Sequence, residues 1–161
     1  MKTLQVYLSI LVQLYIGARF CSAVCPNGWT RFEQSCYFFG HHDETFKDAE
    51  RTCASYGAYI VAIESSTENT FIGSMLTQLN SNRHWIGLTD EVIEGIWTWY
   101  HNGERATYTD WHPTQPDRGA DSNCANILST APYAYHWLDD TCTSQFRVIC
   151  EKEDNQGEIV G

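Results

Sequence analysis

Residues 111–124 read WHPTQPDRGADSNC, a stretch too irregular for helix or strand that ends at a half-cystine. Gln115 and Asp117 place an amide oxygen and a carboxylate on either side of Pro116. Calcium collects six to eight oxygens of this kind from carboxylates, amides, backbone carbonyls and water. A cis Gln115–Pro116 bond, a form found mostly in tight turns, would turn both side chains to one side. The plainer reading is a proline turn with solvated polar flanks. Trp111, next to the loop, offers an apolar face on which a sugar ring can stack, whereas Trp85, Trp97 and Trp137 lie in strand-like runs and are expected in the core.

Other chemistries find no support. GxSxG, HExxH, GxxxxGK[S/T] and CxxC are absent, so the commonest hydrolase, zinc protease, nucleotide and redox signatures are missing and no enzyme is indicated. The His41-His42 pair beside Asp43 and Glu44 reads as a solvated loop rather than a metal site.

The elements that must position the loop follow from periodicity. CPNGWTRFEQSCYFF (25–39) has a turn signal at Pro26-Asn27-Gly28 and reads as a hairpin closed by Cys25 and Cys36. ETFKDAERTCASY (44–56) sets Phe46, Ala49, Cys53 and Tyr56 on one helical face, and Gly57 ends that helix. AYIVAI is a predicted strand, and SSTENTFIGSMLTQL opens with Ser65 and Glu68 in capping-box register, which predicts a second amphipathic helix. From His84 onward HWIGL, IWTWY, CANIL, HWL and RVICE are short apolar runs bounded by turns, the pattern of a small sheet with long loops. Two helices followed by several strands indicate an α+β domain.

The chain of 161 residues suits one domain. Lys2, an apolar run from Leu4 to Ile16 and the small residues Ser22 and Ala23 read as a secretory leader over 1–23, too short and too polar for a membrane span. Cleavage after Ala23 would remove Cys21 and leave Cys25, Cys36, Cys53, Cys124, Cys142 and Cys150, an even set suited to disulfides in a secreted, extracellular protein. It would also remove Lys2 and Arg19, leaving eight basic against twenty acidic side chains, a formal balance of −12. Nucleic acid and anionic membranes are poor partners for such a chain, because their affinity comes from Lys and Arg meeting phosphate. The domain is expected over 24–152, with an acidic, disordered tail over 153–161.

In this order the pieces resemble a C-type lectin domain. The resemblance runs from Cys25 to Glu151 and rests on WIGL (85–88), DEVIEGIWTW (90–99), QPD (115–117), WLDDTC (137–142) and ICE (149–151). The layout is similar to invertebrate perlucin-like lectins, and TDEVIEG is similar to the mannose-binding proteins. The resemblance implies two helices packed on small antiparallel sheets, a long irregular ligand-binding loop and the bridges Cys25–Cys36, Cys53–Cys150 and Cys124–Cys142; the sequence by itself allows fifteen pairings of six cysteines.

It also implies a cis Pro116 and a main Ca2+ site built from Gln115, Asp117 and Asp139, the same residues binding carbohydrate with Trp111 nearby. Gln-Pro-Asp resembles the galactose-preferring version of the motif. Two positions depart from the family: Ser122 replaces a carboxylate, for which Asp121 can substitute, and Leu138 replaces an asparagine. An auxiliary Ca2+ site would use Asp90 and Glu94, but Arg118 and Asn123 stand where relatives have acidic residues, which argues against it. The function implied is a secreted lectin for glycans ending in galactose, with a role in innate immune recognition. The alternative is an interaction or biomineral matrix protein of the same fold that binds a protein partner or calcium mineral.

Overall fold

The structure is a computed structural model describing residues 25–130 and 135–154. The expected leader and residues 155–161 lie outside the described residues. The first hairpin joins β1 (Thr30–Phe32) to β2 (Ser35–Phe39). Helix α1 (Phe46–Ser55) starts at Thr45, whose side chain accepts from the Asp48 amide, and it buries Phe46, Ala49 and Cys53. Gly57 then takes φ +63°, a left-handed turn that glycine adopts without strain.

Of the predicted strand AYIVAI only β3 (Tyr59–Ile60) pairs along β8. The Val61 amide still donates to the Ile149 carbonyl of β8 at 2.9 Å, but its carbonyl accepts from the Gly87 amide of β4 at 2.8 Å, and Val61, Ala62 and Ile63 are buried as the chain leaves β8. The approach needs glycine at position 87, since a Cβ there would collide with the Ile60 carbonyl. Helix α2 (Ser66–Gln78) is capped by Ser65 Oγ, which accepts from the Glu68 amide. The Glu68 carboxylate reaches back one residue further than a capping box requires and accepts from the Glu64 amide at 2.9 Å.

The remaining strands are β4 (Arg83–Thr89), β5 (Thr98–Trp99), β6 (Cys124–Leu128), β7 (Trp137–Asp140) and β8 (Arg147–Glu153). The sheet order is β1-β2-β8-β4-β6-β7, with β3 added to β8 and β5 to β4. It is mixed rather than made of antiparallel sheets alone, because β4 and β8 pair in parallel through His84↔Arg147 and Trp85↔Val148. A parallel neighbour needs a long connection, and the stretch between these two strands includes the whole irregular loop.

Bridges Cys25–Cys36, Cys53–Cys150 and Cys124–Cys142 are all formed. Cys53–Cys150 ties α1 to the last strand, while Cys124–Cys142 closes the base of the loop region. Strand β8 continues through Glu153, so that residue of the expected tail belongs to the sheet, and Asp154 is tied to the first hairpin by Arg31 at 3.0 Å and by its amide donating to the Gln34 carbonyl. Trp85 and Trp137 are fully buried, as expected of core residues. Trp97 is only partly buried: β5 is two residues long, so the alternation that carries Trp99 into the core ends before Trp97.

Candidate functional site

The long loop is laced to β7 from its first residues. The Trp137 amide donates to the Asp110 carbonyl, and the His112 amide donates to the Trp137 carbonyl. Beneath them Asn69 on α2 accepts from the Trp137 indole at 2.9 Å and donates to Asp110 Oδ2 at 2.8 Å. A buried polar group in a tryptophan-rich core is thereby fully used, and it fixes where β7 presents its next residues.

Those next residues are Leu138, Asp139 and Asp140. Asp139, 2% exposed, accepts the Asp117 amide on Oδ1 at 3.2 Å and the Arg118 amide on Oδ2 at 3.1 Å. Its own amide donates to Gln115 Oε1 at 3.2 Å. The Gln115–Pro116 bond is cis. The structure therefore brings Gln115, Asp117 and Asp139 together, with the Asp117 side chain left half-exposed. Asp140 turns the other way and accepts from Arg83, Ser144 and the Thr141 amide.

A cavity of about 280 Å³ opens beside this staple, lined by Asp90, Glu94, Trp97, Asp117, Ser122 and Asp139 among others. Asp90 is 4% exposed: its Oδ2 accepts from the Gly95 amide at 2.8 Å, while Oδ1 is buried with no hydrogen-bond partner among the described residues. A buried carboxylate oxygen without a donor is costly unless a cation or water meets it. Arg118 does not line the cavity; it leans toward Asp117 at 3.9 Å and Asp140 at 3.7 Å. Asp90, Glu94, Asp117, Asp139 and the Ser122 hydroxyl are oxygen donors of the kind a hard divalent cation takes, with Gln115 at the edge, but no three of these carboxylates bring oxygens within 4.8 Å of one another, so a cation would have to draw them together. Leu138 contributes none.

Sequence reading and structure differ on three residues here. Asp121 lies exposed in a short 3-10 turn (Gly119–Asp121) and does not line the cavity. Trp111 packs edge-on against Trp97 and Trp137, with ring centroids 4.7 and 5.9 Å away, and stands one ring behind the cavity. Trp97 is the aromatic residue at the wall. The signal was in the sequence: Gly95 two residues earlier marks a turn, which takes φ +77° and limits the strand that follows.

The model of the Lectin C-type domain matches residues 42–152. The chain belongs to the C-type lectin domain family. A perlucin-like protein of Mytilus galloprovincialis is 33% identical over 129 residues, covering 78% of this chain and 81% of the mussel protein. Asialoglycoprotein receptor 2 of Mus musculus is 35% identical over 138 residues, which span 81% of this chain but only 43% of that longer protein. Among solved structures, the mouse scavenger receptor C-type lectin carbohydrate-recognition domain matches with a TM-score of 0.73 at 35% identity, covering 80% of this chain and 96% of that one. A calcium-independent type II antifreeze protein matches with a TM-score of 0.72 at 29% identity, covering 81% and 95%.

Proposed function

We propose that this C-type lectin domain binds glycans through a Ca2+ ion held at the acidic cavity, with galactose preferred over mannose. The observation that carries the reading is the convergence of Asp90, Glu94, Asp117 and Asp139 on one cavity, with Asp90 Oδ1 buried and unpaired. Four carboxylates around one cavity attract a divalent cation, and such an ion would satisfy the unpaired oxygen of Asp90. When bound, calcium would offer open coordination positions to a pair of sugar hydroxyls. The chain's own residues do the rest. Asp139 holds the backbone of Asp117 and Arg118, Gln115 is oriented by the Asp139 amide, and Trp97 forms an apolar wall for a ring face. The Gln-Pro-Asp order supports the galactose preference. Secretion behind a leader at 1–23 and a role in innate immune recognition are the setting that suits such a protein.

Calorimetric titration of calcium, then of galactose and mannose, tests this reading. Calcium-dependent binding of galactose is expected, and the double exchange Gln115→Glu with Asp117→Asn should shift preference toward mannose. Unchanged selectivity in the double variant would move sugar recognition away from residues 115–117.

A second reading has its own support. Leu138 and Ser122 supply less than a calcium site of five side-chain ligands needs, and both Asp139 oxygens already have backbone donors. The similarity to a calcium-independent antifreeze protein agrees with a calcium-free loop. In that case the domain would serve as an interaction or biomineral matrix protein through its acidic surface, and titration would show neither calcium nor galactose binding.

A further inference from the structure

A second cavity lies at the opposite end of β4 and β6 from the acidic site. Its volume is about 590 Å³, and Arg83, Arg147, Asp43, Asn80, Asn82, Thr130 and Gln145 supply its polar wall. Strand β4 begins at Arg83 and is followed by Asp90 at the acidic cavity, so at about 3.3 Å per residue the two sites stand roughly 20 Å apart. In a chain with ten basic and twenty acidic residues, two arginines converge on this groove, Arg83 beside Asp140 and Arg147 beside Asp43.

Both guanidinium groups are positioned. Arg83 lies over the Phe146 ring at 4.6 Å and donates through Nη1 to Asp140 Oδ2 at 3.1 Å. Arg147 donates through Nη1 to Ser81 Oγ at 2.6 Å, and that buried hydroxyl is held in turn by His84 Nε2 at 3.3 Å. The second Nη of each has no partner among the described residues. Four carboxylate and imidazole groups bear on the pair. Asp140 is shared with Arg118, Thr141 and Ser144; His84 is kept neutral by burial; exposed His41 adds no carboxylate; and Asp43 stands 3.9 Å from Arg147 Nε, beyond hydrogen-bonding distance and 64% exposed. Asp43 is thus a solvent-screened counterion that an incoming anion can replace.

We propose that this groove binds the carboxylate or sulfate group of an acidic saccharide, independently of calcium. A planar fork with free N–H donors matches a carboxylate or sulfate edge. The side-chain amides of Asn80, Asn82 and Gln145 and the Thr130 hydroxyl supply both donors and acceptors for ring hydroxyls. The Phe146 face is covered by Arg83, so the groove offers polar recognition more than an apolar slot. Such a site would let one domain hold a neutral sugar at the acidic end and a charged one at the other.

The test is an NMR titration of the isotope-labelled protein in EDTA with galacturonate, galactose 6-sulfate, galactose and inorganic sulfate. Galacturonate and galactose 6-sulfate should shift the resonances of Asn82, Arg83, Thr130, Gln145 and Arg147, while galactose leaves them in place. Arg147→Gln should weaken that binding by about tenfold, the scale of one charge-assisted hydrogen bond. Asp43→Asn, an exposed change that leaves the fold alone, should strengthen it. Three results would each overturn the proposal: no shifts at these residues, equal shifts with galactose, or inorganic sulfate binding as tightly as the sulfated sugar, which would mark an ion site only. Because calcium is chelated throughout, failure of the acidic cavity to bind metal leaves this outcome untouched.

Discussion

Asp139 and Gln115 hold each other across the fold. The Asp139 amide donates to Gln115 Oε1 at 3.2 Å while the Asp139 carboxylate accepts the amides of Asp117 and Arg118, two and three residues on from Gln115. A strand residue therefore shapes the loop before any ligand arrives. The same two lone-pair-rich oxygens remain able to meet a cation on their free sides.

Replacing Asp139→Asn keeps the size of the side chain but leaves one oxygen for two backbone donors. The hydrogen bonds lost are made to a charged group, so thermal unfolding should reveal a cost of about 1.5–3 kcal/mol. Trypsin should cut after Arg118 faster in the variant than in the parent, and calcium affinity should fall. Unchanged cleavage at Arg118 would show that the loop is held by other contacts.

Ser122 is 4% exposed and lines the acidic cavity, so Ser122→Glu adds a fifth carboxylate to Asp90, Glu94, Asp117 and Asp139. Without calcium the added repulsion should lower Tm; with calcium the same charge becomes a ligand, and the metal-induced rise in Tm should exceed that of the parent. Leu138→Asn should act in the same direction more weakly, since it returns a neutral oxygen. If both variants lose stability and neither gains calcium, the calcium-free reading of the loop takes precedence.

Sequence periodicity located both helices, the first hairpin and the positions of the later strands, because apolar spacing and caps such as Ser65 act over a few residues. It failed where neighbours far along the chain decide. AYIVAI reads as six residues of strand, yet after Ile60 only the Val61 amide still bonds β8, while the Val61 carbonyl turns to the Gly87 amide of β4. Trp97 reads as core from its place in a strand-like run, yet β5 begins only at Thr98 and leaves it at a cavity wall. The loop residues were legible as oxygen donors, but the pairing of Asp139 with two backbone amides is a three-dimensional fact with no local signature.

Trp97 and Trp111 are in edge contact at 4.7 Å, but only Trp97 lines the cavity. Replacing Trp97→Ala should reduce galactose affinity several-fold with a modest change in Tm, since the ring is partly exposed. Trp111→Ala removes a ring packed against Trp137 and should lower Tm more than affinity. Equal effects of the two variants on affinity would show that the edge-packed pair acts as one unit.

Stability should peak under mildly acidic conditions because two buried groups pull in opposite directions. Burial pushes the Glu68 carboxyl up to about 7 from 4.5, against the Glu64 amide, which favours the ion; Tyr37 donates to Glu68 at 2.9 Å, and Glu151 nearby is also pushed up by burial. The native state therefore holds a proton that the unfolded chain has released, so this contribution is complete below pH 4.5 and is lost as pH rises through about 7. His84 is pushed down to about 3 from 6.5 by burial, with the Arg147 charge second, so its contribution is complete above pH 6.5 and is lost as pH falls toward 3. Between 4.5 and 6.5 the slopes of Glu68 and His84 nearly cancel, below that window stability falls, and above it stability also falls. Urea unfolding from about pH 4 to about pH 8 should show this profile. Glu68→Gln should remove most of the loss on the alkaline side and, with the His84 slope unopposed, start the acidic fall at about pH 6.5, whereas His84→Gln should remove the acidic loss and let stability fall from about pH 4.5 upward. A parent protein whose stability rises steadily through pH 7 would mean that Glu68 is ionised in the folded state, with the Glu64 amide and Tyr37 hydroxyl outweighing its burial.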